Sequence, residues 1–409
     1  MKCIIHIGTP KTATTLLQKW LYENKSALSN QSIALTTTFR TGNNRFLATM
    51  FQDNIDKIGR MEGFYDSRGR DQFKATLTEN FKAELDDIRT NHHTVLFTSE
   101  HLYRNLTTEG ELHAFKEWLL QWFNDIQVIC YVREQSALIK SRYSNKMKGG
   151  FTEDIKAFAQ SFNKNDSFYN YFSTFQRWES VFSKEQLIIR VYDKSHFIES
   201  DIRLDFLFSV LPSIDRSKLT FNSNKENQSL TDRQVSFARA INRGFVQKLG
   251  YVPIRCVRSI KKHLFNLELL KPGENPPYPE QHDLYQQMNT SNVNFFEHFF
   301  GERRNLFKAP TSSTQNVSDT TSNYSAKEVL QIIEAICGTQ GLTVIADTEL
   351  DQLHKLTYRL IDSNYITNNE ALLLLAIIQT CQPTSTELTD EIIRIRKKKF
   401  AAFVNDGEI

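Results

Sequence analysis

The chain has 409 residues, 40% of them apolar and 24% charged, with a net charge of +3. That length holds one large domain or two, and the balance is that of an ordinary soluble globular protein rather than a disordered or fibrous one. The small net charge argues against a dedicated nucleic-acid binder, and the scattered Cys3, Cys130, Cys256, Cys337 and Cys381 suggest neither a disulfide framework nor a zinc site.

Cys3–Ile7 is a short apolar run rich in β-branched residues and predicts a buried strand; it is too short for the core of a signal peptide. Gly8 and Pro10 break it. From Thr14 the pattern turns helical, with Leu16, Leu17, Trp20, Leu21, Asn24 and Leu28 on one face. Gln31–Thr38 suggests a second strand, and the polar stretch Thr41–Arg70 predicts loops and a broken helix lying over a substrate. Further strands are expected at Thr94–Thr98, Gln127–Val132 and Leu187–Val191. Helices are expected at Gln72–Arg89, at Glu109–Phe123 and at Glu134–Met147, the last closed by Gly149-Gly150. Ile155–Glu185 reads as mostly helical and very aromatic, and Asp201–Leu211 as a helix closed by Pro212.

Such alternation predicts an α/β fold: a mainly parallel sheet with helices on both faces, whose ligands bind outside the C-terminal strand ends. Past Phe221 the pattern weakens, with a helix near Thr231–Lys248, a Pro-rich loop at Lys271–Pro279 and a core helix at Phe295–Phe300 ended by Gly301. Three parts are expected: an α/β domain over 1–308, a Ser/Thr-rich linker over 309–325 and an all-helical region over 326–409. The late apolar run Ala371–Ile378 is far short of the ~20 residues of a membrane span, so a reduced, cytoplasmic protein is expected.

The densest chemistry lies between the first strand and the first helix, in Gly8-Thr9-Pro10-Lys11-Thr12-Ala13-Thr14-Thr15-Leu16. A helix N-terminus leaves unpaired amides and the positive end of a dipole, so a strand–loop–helix unit is a ready anion site. Against the Walker pattern G-x-x-x-x-G-K-[ST], Gly8 serves as the first glycine, Ala13 replaces the second, and Lys11 comes three residues early. A lysine leaving from mid-loop suits an anion less charged than a triphosphate, with no metal required. Pro-Lys-Thr-x-Thr-Thr-x-Leu after an N-terminal strand resembles the 5′-phosphosulfate loop of the sulfotransferases, which use 3′-phosphoadenosine 5′-phosphosulfate (PAPS) and release PAP.

The resemblance covers roughly residues 1–307. It implies the P-loop type of α/β fold, a bacterial-type carbohydrate sulfotransferase, and cofactor contacts from Pro10, Lys11, Thr12, Ala13, Thr14 and Thr15. The family usually has glycine at position 13; alanine is expected to be tolerated if that position is already helical. The family reads the 3′-phosphate with an Arg at a strand end and a Ser eight residues later, and Tyr131-Val132-Arg133 followed by Ser141 matches. The planar Arg fork binds phosphate bidentately and the Ser hydroxyl adds a donor. Either residue alone is commonplace; two motifs about 120 residues apart, both at strand ends, give the reading its weight.

Sulfuryl transfer is an in-line displacement in which positioning and charge stabilisation do most of the work, so Lys11 is expected to neutralise the leaving phosphate. The acceptor hydroxyl needs a general base. Glu100 and His101, just past Thr94–Thr98, are the candidates. Related enzymes carry either Glu or His at that strand end, and the Ser99-Glu100 pair favours Glu100. Taken alone, each reads as a cap or an ion-pair partner.

Lys140, Arg142, Lys146 and Lys148 suit either the steering of an anionic cofactor or acidic glycan, or a solvated helix face. Asn227-Gln228-Ser229-Leu230 resembles an element of bacterial members and reads as an N-cap signal. The basic run Arg394–Lys399 suits peripheral contact with a membrane surface, an acidic partner, or a solvated helix end. The expected function is transfer of a sulfuryl group from PAPS to a hydroxyl on a carbohydrate or glycolipid, with no nucleic-acid partner. The alternatives are a P-loop kinase or nucleotide hydrolase, which needs Mg²⁺ and a Walker B aspartate (Asp193 is the candidate), and a non-catalytic nucleotide-binding scaffold.

Overall fold

A computed structural model describes residues 1–222, 230–249 and 280–310, together with Val252, Tyr278 and Asp390. The described residues contain five strands: β1 (Lys2–His6), β2 (Ile33–Leu35), β3 (Thr94–Thr98), β4 (Asp125–Val132) and β5 (Leu187–Val191). They form one sheet in the order β2-β3-β1-β4-β5, and every pairing is parallel. Parallel neighbours need a crossover between them, and helices supply it. In chain order these are α1 (Thr14–Glu23), α2 (Lys25–Ser29), α3 (Arg45–Phe51), α4 (Lys57–Met61), α5 (Ser67–Ile88), α6 (Glu100–Asn105) and α7 (Glu109–Leu120). Then come α8 (Gln135–Lys148), α9 (Ile155–Gln160), α10 (Tyr171–Phe182), α11 (Ile202–Val210), α12 (Asp232–Leu249) and a last helix, Gln281–Phe300.

The period-two alternation of β1 sends its side chains into two separate cores. Cys3, Ile5 and Ile7 join a core built by α3, α5, α7, α10 and the last helix, while Ile4 joins one built by α1, α2 and α11. Helices therefore cover both faces of the sheet. The first core is strongly aromatic: Phe39 meets Phe81 at a ring-centroid distance of 5.0 Å and Trp118 at 5.6 Å, the latter edge-on. In the second, Trp20 is fully buried and donates through Nε1 to the Thr220 carbonyl at 2.8 Å. Asp205 is also buried and is satisfied by the Tyr131 hydroxyl at 2.9 Å and by the Arg190 guanidinium, which fastens β4 and β5 to α11. An unpaired charge there would be costly, so this cluster is structural.

Two expected regions differ. The stretch 41–70 is indeed loops and a broken helix, in two short pieces, but α3 sits in the first core, with Leu47, Ala48, Met50 and Phe51 buried, and α4 is capped by Asp56. The helix expected at Phe295–Phe300 begins at Gln281 and stops before Gly301, whose φ of 73° ends it. The aromatic stretch 155–185 divides into α9 and α10, each started by a side-chain cap, Asp154 and Asn170.

The chain falls into two compact units. The first comprises Met1–Ile139, Phe162–Asn227 and Gln281–Pro310 and holds the sheet. The second takes Lys140–Ser161, Gln228–Glu280 and Thr311–Ile409. Among its described residues, Asn242 of α12 donates to the Phe151 carbonyl at 2.7 Å and the Met147 carbonyl at 3.0 Å, and Leu230 N donates to Ser144 Oγ at 2.9 Å. The expected Pro-rich loop, the Asn227–Ser229 element, the linker from Thr311 onward, the helical region 326–409 and its basic run lie outside the described residues, apart from Tyr278 and Asp390. Among the described residues no helix is long and apolar enough to cross a membrane.

Candidate functional site

Because all five strands run the same way, their C-terminal ends lie along one edge. β1 is the middle strand, and the segments after β1, β3 and β4 carry Lys11, Glu100 and Arg133. The chain leaves β1 toward β2 on one side, and leaves β4 toward β5 on the other, so the connections part between β1 and β4. Open α/β sheets bind ligands at such a switch point.

Pairing continues past the end of β1. Tyr131 N donates to the Gly8 carbonyl at 2.7 Å and Thr9 N to the Tyr131 carbonyl at 2.9 Å, so the loop starts stapled to β4. Gly8 has φ 112°, and a Cβ there would lie 3.2 Å from Cα and Cβ of Glu100. Glycine thus lets the loop pass against the other candidate residue. Thr12 is fully buried and its hydroxyl donates to the Thr9 carbonyl at 2.6 Å, closing the loop from inside. Pro10 and Lys11 are half-buried, Thr14 is buried and Thr15 is exposed.

Ala13 departs from expectation. It is not helical: φ 54° and ψ 27° put it in the left-handed region as the N-cap of α1. Lys11, with φ 72°, lies there too. Alanine holds there a conformation that glycine takes at less cost. No side chain caps α1 and no acidic residue lies in its first turn, so the dipole end is not neutralised from within the helix. Two buried hydroxyls at this edge, Thr9 Oγ1 and Ser99 Oγ, have no hydrogen-bond partner in the protein. Orphaned polar atoms and an uncapped helix start fit a polar, anionic ligand.

Arg133 reaches the same loop: its guanidinium donates to the Lys11 carbonyl at 3.1 Å and lies 5.5 Å over the Tyr192 ring. Its backbone is clamped by Tyr171, whose hydroxyl donates to the Arg133 carbonyl at 2.6 Å and accepts from Arg133 N at 3.3 Å. Tyr171 is fully buried, and burial raises its pKa, so it stays a neutral donor. Glu134 caps α8, accepting from Ser136 N and Ala137 N, both at 2.7 Å. Ser141 lies further along α8, half-buried, where that helix belongs to the second unit.

Glu100 opens α6. Its Oε2 accepts from Gln18 Nε2 of α1 at 2.6 Å, and its Oε1 lies 3.9 Å from His101 Nε2. Burial is the main cause lowering the His101 pKa; Arg45 and Arg104 add to it and Glu100 opposes it. His101 is therefore neutral at pH 7, and its proximity to Glu100 is not a strong ion pair. Beneath them, His6 is fully buried, shares a 2.8 Å hydrogen bond with Thr98 Oγ1, and has its pKa pushed by burial down to about 4.

The structure thus brings Lys11, Glu100, His101 and Arg133 to one edge. Asp193 follows the edge strand β5, where it accepts from Ser195 N at 2.8 Å and pairs with Lys308 at 3.1 Å. The basic face of α8 is partly engaged: the Lys146 ammonium lies 5.1 Å over the Phe151 ring and 5.3 Å over Phe158. Sequence reasoning missed Gln18, Glu134 and Tyr171. Gln18 did leave a signal, a polar residue among the buried Thr14, Leu17 and Leu21 of α1. Tyr171 left none, since its target is 38 residues away.

No protein-family model matches the chain, and no solved structure matches it significantly. One similar protein comes from Archaeoglobus fulgidus and is described as an uncharacterized protein; it is 25% identical over 190 residues, which cover 43% of this chain and 46% of that one. The chain therefore spans less than half the length of that relative, and the likeness carries no activity with it.

Proposed function

We propose that the protein is a PAPS-dependent sulfotransferase with a P-loop type of fold, acting on a hydroxyl of a carbohydrate or glycolipid. The observation that carries this reading is the meeting of the two sequence motifs at the β1/β4 switch point, where Arg133 bonds the carbonyl of Lys11 at 3.1 Å. When bound, PAPS supplies the sulfuryl group and departs as PAP. Lys11 and the first amides of α1 would hold the 5′-phosphate and neutralise the charge that grows on it as its oxygen–sulfur bond breaks. Arg133 would hold the 3′-phosphate by its fork. Glu100 would take the proton of the acceptor hydroxyl as that oxygen bonds to sulfur, with Gln18 fixing which carboxylate oxygen faces the acceptor. His101, kept neutral by burial, is the reserve base.

The placement of Asp193 beyond the edge strand supports this reading over the kinase alternative, which needs an acid near the loop to hold Mg²⁺. The test is a thermal shift with PAP, with ADP, and with ATP plus Mg²⁺ at matched concentrations. A ligand at about 100 times its Kd stabilises by ~2.7 kcal/mol. PAP is expected to raise Tm well above ADP. A shift with ATP·Mg²⁺ and none with PAP would overturn the reading in favour of the kinase.

A further inference from the structure

A second basic cluster stands beside Glu100. Asn44 Oδ1 accepts from Thr98 N at 2.9 Å, which ties the start of α3 to the end of β3. The next residue, Arg45, is the first of α3. Asn44 N donates to the Arg40 carbonyl at 3.1 Å and closes a turn that brings Arg40 to the same place. α3 packs on α6, and Asn105 at the end of α6 donates to Gln52 just past α3. α6 carries Glu100, His101 and Arg104. Burial is the main cause lowering the Arg45 pKa; the charges of Arg40 and Arg104 add to it and those of Asp56 and Glu100 oppose it.

Among the described residues none of these three arginines has an ion pair or a side-chain hydrogen bond, and Nε of Arg45 is buried without a partner. Against them stand Glu100 and Asp56, and the Asp56 carboxylate already caps α4 through Ile58 N and Gly59 N. With His101 neutral, the cluster keeps a net positive charge. Arg40 and Arg104 are exposed, but Arg45 is half-buried, and a half-buried guanidinium without a partner is costly unless an anion reaches it. Such an anion would not be the nucleotide of the proposed reaction. The nucleotide groups lie at β1 and β4, whereas these arginines lie around the end of β3, on the opposite side of β1.

We propose that Arg40, Arg45 and Arg104 form an anion subsite for the acceptor, so that the hydroxyl presented to Glu100 belongs to a molecule carrying its own carboxylate or sulfate group. The inference rests on the sulfotransferase reading of the same site. Guanidinium forks match both oxyanions bidentately. An anchored anion fixes the neighbouring hydroxyl against the base, which is the positioning an in-line displacement requires.

Calorimetric titration of the full chain tests it, with and without saturating PAP. The probes are a hyaluronan hexasaccharide, its carboxyl-reduced neutral counterpart, and the same reduced chain bearing sulfate esters. The acidic chains are expected to bind at least ~10-fold more tightly than the neutral one. The stronger of the carboxylate and sulfate arms names the group. Arg45→Ala and Arg104→Ala should each remove most of that preference while leaving PAP affinity unchanged. Arg104 is exposed, so its variant keeps the test open if Arg45→Ala fails to fold, and Arg45→Lys checks charge against packing. Equal or absent binding of acidic and neutral chains, or variants that bind as the wild type does, would overturn the subsite. If PAP fails to bind but arginine-dependent anion binding persists, the sulfotransferase reading falls and the anion subsite stands.

Discussion

α1 and α8 both begin at the C-terminal edge of the sheet, one after β1 and one after its neighbour β4, and their first turns are finished in opposite ways. At α8 the Glu134 carboxylate accepts from Ser136 N, Ala137 N and the Ser136 hydroxyl, so the amides are spent and a negative charge sits on the positive dipole end. Burial raises the Glu134 pKa while those hydrogen bonds and Arg133 lower it, with burial the larger effect. At α1 no side chain caps the helix, no acid lies in the first turn, and a left-handed Ala13 turns the chain into it. A helix start left without partners is satisfied by water or by a ligand. The two phosphates of PAP would therefore be held in different ways. One would lie on backbone amides and Lys11 at α1; the other would depend on the Arg133 side chain, because the amides of α8 are already occupied.

That contrast predicts different losses. Lys11→Ala should have the largest effect, cutting sulfuryl transfer from PAPS by roughly 10²–10³-fold, the usual loss when a group that stabilises developing charge is removed. Near-normal turnover would break the comparison, since α1 would then not hold the leaving group. Arg133→Ala should weaken PAP binding by about two orders of magnitude, ~2–3 kcal/mol for a lost charge-assisted contact. It should leave ADP, which lacks the 3′-phosphate, nearly unchanged. Arg133 also bonds the Lys11 carbonyl, so equal losses for PAP and ADP would assign it to shaping the loop rather than to reading a phosphate.

Much of this edge is legible in the sequence, for physical reasons that also mark where legibility stops. β3 and β5 coincide with the expected Thr94–Thr98 and Leu187–Val191, because short β-branched runs bounded by polar residues have few other ways to fold. Lys11, Glu100 and Arg133 could be placed at one edge because each lies in the segment that follows a strand of a parallel sheet. A broken helix is expected at 41–70, but the burial of α3 is not legible because it is a tertiary fact: only packing beside α6 shows that Leu47, Met50 and Phe51 face inward. The Glu134 cap was missed for a related reason. A glutamate two residues before a serine is ordinary, and only its hydrogen bonds reveal that it fills the helix end that Arg133 borders.

The smallest expected effect probes the turn that makes α1 different. An L-residue with a β-carbon is strained by ~1–2 kcal/mol in the left-handed region, and Ala13 carries that strain at φ 54°. Glycine relieves it but is looser in the unfolded chain, which returns ~0.4–1 kcal/mol. The balance favours Ala13→Gly by about 0.5 kcal/mol. Urea unfolding should show a slightly higher midpoint at unchanged slope, with turnover preserved. Ala13→Val should move the other way by ~1 kcal/mol or more, because a β-branched side chain tolerates this region worst. Were glycine the less stable variant and valine neutral, residue 13 would be helical rather than left-handed. The amides of α1 would then point along a different line from the one that sets them against the Lys11 loop, and the difference between the two helix starts would shrink to the single carboxylate of Glu134.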